Sequence, residues 1–358
     1  MSRALPSLRR ATAASLAAVA ALAAAVLVAA CGSPPAAKSA ADLPTNAEEL
    51  VAQARQEGSV VIGAGGHTRD QVQLLADAFR AKYGIPVTFV RESSGDIAQK
   101  TQAQLTSRSL QFDVVSLNDE ATLRTWSESK VLTDAAVANR DRILPPLSTD
   151  AAPYLPFTWA ALGYSYNSAR LPAASAPTSW DALAAHPGVF AVADPRSSGA
   201  ALTFVAAMSD IDPRFLPALA GAKTLVSNSA LALTQLLATG EADFGVPGIE
   251  ADIATARKAG EPLAVGYPEG RIGTLPSYVA AMAQAPHPAA ARLLVQFLLS
   301  EEFQAAESGI GSRSVLSGAP DPGGAVHIGA ERLVVIDPAD LSARKDALLK
   351  SFATTVGS

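Results

Sequence analysis

Four short polar loops of this chain have the residue types that bind anions. They join strand-like runs to helix-like runs at 63–67, 91–95, 116–119 and 194–199, and are rich in glycine and hydroxyl side chains. A helix amino terminus presents free N–H groups and a partial positive charge, each contributing about 0.3–1 kcal/mol toward an anion. In an open α/β sheet, ligands bind beyond the carboxyl ends of the strands, where such loops lie. The pattern predicts a cleft for phosphate, phosphonate or carboxylate.

The candidate ligand contacts come from these loops and from neighbouring strand-like segments. Ser and Thr hydroxyls can meet a ligand, but at a helix start they also cap the helix, and the two roles are compatible. An aromatic side chain can stack on an amine or organic group, worth about 0.5–2 kcal/mol, or can pack at a hinge. We expect ligand contacts from His67, Thr68, Ser93, Ser94, Asn118, Asp119, Trp159, Ser197, Ser198, Gly248 and Tyr278.

Catalytic motifs are weak in this sequence. Residues 127–130 and 342–345 match Ser-x-x-Lys but lack the companion motifs of a penicillin-recognising site. The chain has no Gly-x-Ser-x-Gly elbow and no Walker sequence, and its four histidines lack zinc-site spacing. We therefore expect no catalytic residues and no enzyme, with a serine-type hydrolase as a minor alternative.

Length, charge and cysteine content narrow the possible classes of protein further. The chain has 358 residues, of which 49% are hydrophobic, and a net charge of −5. This length allows two lobes of ordinary domain size. The acidic balance disfavours nucleic-acid binding. A single cysteine excludes an intrachain disulfide, so burial alone must hold the core.

The elements that position the loops follow an alternating pattern. Strand-like runs at 59–62, 86–90 and 112–117 alternate with helical patterns, and prolines between 145 and 156 then mark a break before a second alternating half. Alternation of this kind predicts an α/β fold with mostly parallel sheets. The segment 158–166 reads as an extended aromatic crossover between the halves.

The first residues form an export pattern. Arg3, Arg9 and Arg10 give a positive start, residues 11–28 are uncharged and apolar, and small residues precede Cys31. This segment resembles a bacterial lipobox, in which the cysteine thiol receives a lipid and the cut falls just before it.

The lipobox resemblance implies a location. We expect a signal peptide over 1–30, a flexible linker over 31–44, and a mature protein anchored to the cell membrane, outside the cytoplasm, by lipid on Cys31. A single acyl chain binds a bilayer only marginally, so stable anchoring needs two or more. The alternatives are a plain secreted protein and a single N-terminal anchor helix.

Several short fragments occur in an order that is typical of one family. They are Gly63-Ala64-Gly65-Gly66-His67, Ser93-Ser94-Gly95, Phe112-Asp113-Val114-Val115, Ser179-Trp180-Asp181-Ala182-Leu183, Asp194-Pro195-Arg196-Ser197-Ser198-Gly199 and Gly240-Glu241-Ala242-Asp243. In this order the chain resembles the extracellular solute-binding proteins (family 1) of ABC importers, over nearly all of residues 45–318.

The resemblance implies a fold and partners. We expect a periplasmic-binding-protein type II-like α/β fold, in which two α/β lobes joined by a hinge close on a small ligand and then meet an ABC permease. Lobe 1 would span 45–155 plus about 271–315 and lobe 2 would span 156–270, with a C-terminal segment at 316–358 packing on the lobes. The protein would be a monomer without a resident cofactor.

The resemblance is greatest to the ferric-iron-binding branch, which is also similar to phosphonate-, polyamine- and thiamine-binding relatives. His67 falls where ferric-binding relatives place a metal ligand, but Asn118 replaces their carboxylate and 245–250 lacks their adjacent tyrosine pair. Ferric ion prefers anionic oxygen ligands, so direct capture in the usual geometry loses support. Replacement oxygens can come from Asp119, Glu250 and Tyr278.

Two kinds of transported ligand therefore stay open: Fe³⁺ or its complex, with His67 as a metal contact, and an organic or phosphorus-bearing solute. A surface lipoprotein sensor outside transport is the alternative function.

Overall fold

One mixed β-sheet organises the part of the chain that the computed structural model describes, residues 43–220, 222–323 and 325–356. Its strands are β1 (Val60–Gly65), β2 (Val87–Glu92), β3 (Val114–Leu117), β4 (Leu132–Thr133), β5 (Tyr154–Asn167), β6 (Phe190–Ala193), β7 (Thr224–Ser227), β8 (Phe244–Gly248), β9 (Leu263–Gly266), β10 (Ile272–Met282), β11 (Arg313–Ser314) and β12 (Leu333–Val334).

The helices pack on this sheet between the strands. They are α1 (Ala47–Glu57), α2 (Arg69–Tyr83), α3 (Ser94–Thr106), α4 (Glu120–Glu128), α5 (Trp180–Ala184), α6 (Gly199–Ile211), α7 (Phe215–Leu219), α8 (Leu233–Thr239), α9 (Glu250–Lys258), α10 (Pro288–Leu298), α11 (Glu301–Ser308) and α12 (Pro338–Thr355). None of the described helices is long and apolar enough to cross a bilayer.

The sheet consists of two parallel sections joined by long antiparallel strands. Its strand order is β2-β1-β3-β10-β5-β8-β6-β7, with β4 and β12 beside β10, and β9 and β11 beside β5. Strands β1, β2 and β3 run parallel to one another, as do β6, β7 and β8. Strand β5 serves both sections, because its residues 154–162 pair with β10 and its residues 163–167 pair with β8 and β9.

Each section has its own hydrophobic core. One core surrounds β1, β3 and β10 and includes Phe79, Phe297 and Phe303. Another lies around β6 and β8 and includes Phe190 and Phe244. Separate cores agree with the predicted α/β halves, while the lobe boundaries themselves stay a prediction.

Most predicted elements are present in the structure, with ends shifted by a few residues. Helix α2 starts at a complete capping box, in which Thr68 Oγ1 accepts from Gln71 N at 3.3 Å and Gln71 Oε1 accepts from Thr68 N at 2.7 Å. Sequence reasoning missed β7, α7, α11 and the C-terminal helix α12. Helix α12 places Leu348 and Phe352 in the second core.

One aspartate arrangement occurs in both sections. Asp113 precedes β3, and its N–H donates to Val61 O at 2.8 Å while its Oδ2 accepts from Val61 N at 2.7 Å. Asp243 precedes β8, and it makes the same two bonds with Val189, each at 2.8 Å. Both residues lie in fragments that carry the family resemblance. Their position is explained by strand pairing rather than by a ligand.

Candidate functional site

The loop after β1 is shaped by a close approach to Asn118. Gly66 has φ +78°, and a Cβ there would lie 2.1 Å from Asn118 Oδ1. Asn118 N donates to Ser94 Oγ at 3.0 Å, and Ser94 Oγ donates to Asn118 Oδ1 at 3.2 Å. Asn118 Nδ2 donates to Ser277 Oγ at 2.6 Å. Two predicted contact residues, Ser94 and Asn118, therefore lie together at the carboxyl ends of β2 and β3, beside the loop after β1.

His67 points into the first core rather than toward solvent. Its side chain is buried, its Nε2 lies 2.6 Å from Ser116 Oγ, and its ring centre lies 5.3 Å from that of Phe157. Burial lowers the pKa of His67 to about 4, so the ring is neutral near pH 7. In this arrangement His67 acts as a satisfied core histidine, while its predicted metal contact stays a prediction.

A small cavity of about 10 Å³ adjoins His67. Its polar lining includes Gln71, Ser116 and Glu307. Glu307 is buried and its Oε2 has no hydrogen-bond partner among the described residues. Burial raises the pKa of Glu307 to about 7, and Ser312 opposes that rise. The volume suits about one water molecule.

The neutral state of His67 predicts a pH-dependent contribution to stability. Because its folded pKa of about 4 lies below the unfolded value of 6.5, the folded chain binds fewer protons than the unfolded chain between these values. This contribution is therefore present above about pH 6.5 and is lost as pH falls toward 4. The stability difference between wild type and His67→Gln should fall by about 2–3 kcal/mol over that window.

Denaturant unfolding at both ends of the window measures this difference. Subtracting the variant from the wild type removes most of the opposite contribution of Glu307, whose raised pKa makes stability fall as pH rises. The His67 ring resonances in an NMR titration provide the direct check. A midpoint near 6.5 would contradict the buried, neutral assignment.

The corresponding loop of the second section carries its own hydroxyl pair. Ser198 is the N-cap of α6, where its Oγ accepts from Ala201 N at 3.3 Å, and exposed Ser197 donates its Oγ to Asn228 O at 2.8 Å. Arg196 forks onto Asp194 at 2.6–2.9 Å, and the Arg196 hydrogen bond lowers the pKa of Asp194. Among the described residues, no hydrogen bond joins Ser197 or Ser198 to Asn118 or to its partners Ser94 and Ser277.

A buried ion pair connects the two sections of the sheet. Arg313 lies on β11, which pairs with β5 at Trp159, and only 2% of its surface is exposed. Its Nε lies 2.9 Å from both carboxylate oxygens of Glu250, and its Nη2 donates to Glu250 Oε1 at 2.6 Å. Glu250 begins α9, directly after β8. The pair therefore ties a strand beside the first core to a helix of the second section.

Aromatic rings and an acid enclose the same guanidinium. Its carbon lies 5.3 Å from the ring centre of Trp159 and 5.5 Å from that of Tyr267, and Nη1 donates to Asp321 Oδ1 at 2.8 Å. Tyr267 Oη is buried without a hydrogen-bond partner among the described residues. We call Glu250, Arg313, Asp321, Trp159 and Tyr267 the Arg313 cluster.

Electrostatics in the Arg313 cluster are set by burial and by the pair itself. Burial raises the pKa of Glu250, and the Arg313 guanidinium opposes that rise. Burial disfavours charge on Arg313, but hydrogen bonding to Glu250 and the charges of Glu250, Tyr267 and Asp321 together outweigh burial, so the pKa of Arg313 is raised. Two residues further along α9, burial raises the pKa of Asp252 to about 7.

Helix α9 contacts the first section at its start, its middle and its end. Glu250 at its start meets Arg313, and Lys258 at its end pairs with Asp70 of α2 at 2.8 Å. Between them Gly311 packs closely, because a Cβ there would lie 2.8 Å from Ala254 Cβ. The structure thus shows the two sections in contact across α9.

The other predicted contact residues are dispersed. Thr68, Ser93 and Asp119 act as helix N-caps. Tyr278 is buried opposite Leu117 and donates its hydroxyl to Glu120 Oε2 at 2.8 Å, at the start of α4. Trp159 donates Nε1 to Ser314 O at 2.8 Å within the Arg313 cluster.

Gly248 meets the protein backbone at its own position. A Cβ there would lie 2.3 Å from the carbonyl carbon of Tyr164, so the residue permits close strand approach between β8 and β5. Cys31 lies outside the described residues.

Sequence reasoning missed Arg313 and Tyr267 and identified Glu250 only as a possible oxygen ligand. The fragment around Arg313 contains no motif, and its partner Glu250 lies 63 residues away in the chain. The only local signal for a buried arginine was its position in a short strand-like run, close to the C-terminal segment at 316–358.

Comparison with known proteins decides the family. The model of a bacterial extracellular solute-binding protein family matches residues 75–327. The chain belongs to this family. The family binds solutes and is not enzymatic, so the prediction of a non-enzyme is confirmed.

Solved structures confirm the fold. The chain is 24% identical to the periplasmic binding protein AfuA of Actinobacillus pleuropneumoniae, solved with fructose-6-phosphate, with a TM-score of 0.66, covering 84% of this chain and 98% of that one. Iron-bound HitA of Pseudomonas aeruginosa is 21% identical, with a TM-score of 0.68, and the match covers 82% of this chain and 99% of that one. A periplasmic thiamin binding protein is 19% identical, with a TM-score of 0.66, and the match covers 84% of this chain and 96% of that one.

These likenesses assign the type II periplasmic-binding-protein fold to this family member, as the fragment order predicted. A search of curated proteins found no match. The family places the protein outside the cytoplasm.

Proposed function

We propose that this protein is the lipid-anchored receptor of an ABC importer, which captures a small solute between the two sections of its sheet and delivers it to a permease. The observation that carries the proposal is the family match over residues 75–327. The lipid anchor rests on the signal-like residues 1–30 and on Cys31. Receptors of this fold act by closing lobes around the ligand.

An anionic or oxygen-rich solute suits the polar groups that we assign to this ligand site. The cluster around Arg313 and the loops at 91–95 and 194–199 supply N–H and hydroxyl donors, which suit phosphate, phosphonate or carboxylate oxygens. Within the described ranges, no group of three or more His, Cys, Asp or Glu is placed to hold a metal ion. Ferric complexes stay in the panel below because an iron-bound relative shares the fold.

A thermal-shift screen tests the receptor proposal. We expect at least one of ferric citrate, 2-aminoethylphosphonate, spermidine and thiamine to raise the melting temperature, because a ligand that binds only the folded state stabilises it by about 2.7 kcal/mol at one hundred times its Kd. A ligand without product formation separates a receptor from the serine-hydrolase alternative. If no compound shifts the transition, the proposal is wrong.

Uptake separates transport from sensing. Cells that lack the cognate permease should stop accumulating the solute that the screen identifies, although the purified receptor still binds it. Binding with unchanged uptake would favour the surface-sensor alternative.

A further inference from the structure

The guanidinium of Arg313 is arranged for planar recognition of oxygens. One edge, Nε and Nη2, faces the two oxygens of Glu250 at 2.6–2.9 Å. An arginine fork of this kind matches a carboxylate or a phosphate equally well, since both present two oxygens at the required spacing. Outside that edge, Nη1 donates to Asp321 Oδ1 at 2.8 Å and Nη2 also donates to Val326 O at 2.7 Å. Only the Glu250 edge is therefore filled by a group from the second section.

That edge opens when α9 moves. Glu250 is the first residue of α9, and among the described residues the other ion pair that joins this helix to the first section is the exposed Lys258–Asp70 pair. Separation of the two sections would carry Glu250 away, whereas Arg313, on a strand paired with β5, would stay with Trp159. The fork would then face the space between the sections.

A second observation points to a missing oxygen at the same place. Tyr267 Oη is buried and meets no described residue in good hydrogen-bond geometry, although it lies near enough to the Glu250 carboxylate to lower the pKa of that group. A buried hydroxyl without a partner costs free energy unless a further group satisfies it. The start of α9 also lacks a capping side chain, because its N-cap is Ile249. A ligand oxygen placed here could accept hydrogen bonds from Tyr267 Oη and from the backbone N–H groups at the start of α9.

We propose that Arg313 anchors an anionic ligand through the guanidinium edge that Glu250 occupies in this structure, and that Glu250 is a built-in competitor which the ligand displaces. The ligand class is a small molecule with a carboxylate, phosphate or phosphonate group. Trp159 and Tyr267 would flank the bound group, and Tyr267 Oη would donate to its free oxygen. This inference rests on the proposed receptor function and assigns its anion contact.

Isothermal titration of the full-length protein tests the displacement. The probes are citrate, inorganic phosphate and 2-aminoethylphosphonate, which separate the three sources of the same oxygen chemistry, with spermidine as a cation. Glu250→Gln removes the competing charge, keeps the side-chain shape, and leaves Arg313 bonded to Asp321. We expect it to tighten the Kd of at least one anion by about tenfold or more.

Two further variants make the result specific. Arg313→Lys keeps the charge but loses the fork, and should weaken the same anion by about tenfold. Asp70→Asn breaks the other side-chain pair of α9 and should change the Kd by less than about threefold, because exposed pairs contribute little. If Asp70→Asn tightens the Kd of the anion as much as Glu250→Gln does, the gain in affinity comes from the release of α9 and not from removal of the competing Glu250 carboxylate. That result would overturn the proposal.

The remaining outcomes are also decisive. An anion that binds with unchanged Kd to Glu250→Gln, or a Glu250→Gln variant that loses binding, refutes the competitor role. If spermidine or thiamine binds and no anion does, the anion anchor is wrong while the receptor function stands. If no compound binds wild type or variants whose circular-dichroism melts show folding, both proposals fail.

Discussion

Replacement of Arg313 by methionine should lower the free energy of unfolding by about 3–5 kcal/mol at neutral pH, because it leaves the Glu250 carboxylate buried without its counter-charge. Methionine fills a similar space between Trp159 and Tyr267, so the loss reports the missing charge more than a cavity. Chemical denaturation followed by circular dichroism measures the change.

The same variant should show a defined pH dependence. Burial already raises the pKa of Glu250, and Arg313 restrains that rise, so the variant raises it further. A folded pKa above the unfolded value means that the folded chain binds more protons, and stability therefore falls as pH rises through that range. The destabilisation should be smaller at acid pH than at alkaline pH.

The exposed pair on the same helix supplies the control. Lys258→Met removes the partner of Asp70, and should cost less than about 1 kcal/mol because solvent screens this pair. A loss below about 1 kcal/mol for Arg313→Met as well would show that the buried pair contributes no more than a surface pair.

The second large effect is expected at Asp113. This residue is 0% exposed, and its carboxylate accepts from Val61 N at 2.7 Å, from His287 N at 2.7 Å, and contacts His287 Nδ1 at 2.9 Å. Asp113→Ala leaves these partly buried donors without their acceptor, at about 1–3 kcal/mol each with incomplete additivity. We expect a loss of about 3–5 kcal/mol in denaturant unfolding.

Asp243 is the matched comparison for Asp113. It makes the same backbone exchange with Val189, but it is half-buried, and no histidine among the described residues bonds to it. Asp243→Ala should therefore cost only about 1–2 kcal/mol. Equal losses at the two positions would contradict the role given to His287.

Local chemistry made much of the fold predictable. Thr68 and Gln71 form the capping box that their spacing indicates, and the strand-like run before His67 becomes β1. Helix α12 was missed because Leu348 and Phe352 are its only buried residues, so most of its surface is polar. Its position is set by packing on the second core, which no local pattern expresses.

The site was less predictable than the fold. Ser94 and Asn118, both named from loop composition, lie together in the structure because the carboxyl ends of β2 and β3 flank β1 at one edge of the sheet. Loop composition did not show that His67 turns inward to Ser116. The Glu250–Arg313 pair joins distant segments, and such contacts depend on tertiary packing alone.

The shared strand β5 has one mechanical consequence. Its pairing with β10 shifts register between Ser277 and Tyr278, and its pairing with β8 shifts between Gly163 and Ser165. A shift in register interrupts the ladder locally and weakens its resistance to bending. We therefore expect bending of β5 to concentrate at these two points, so that each parallel section keeps its own hydrogen-bond ladder intact when the strand flexes.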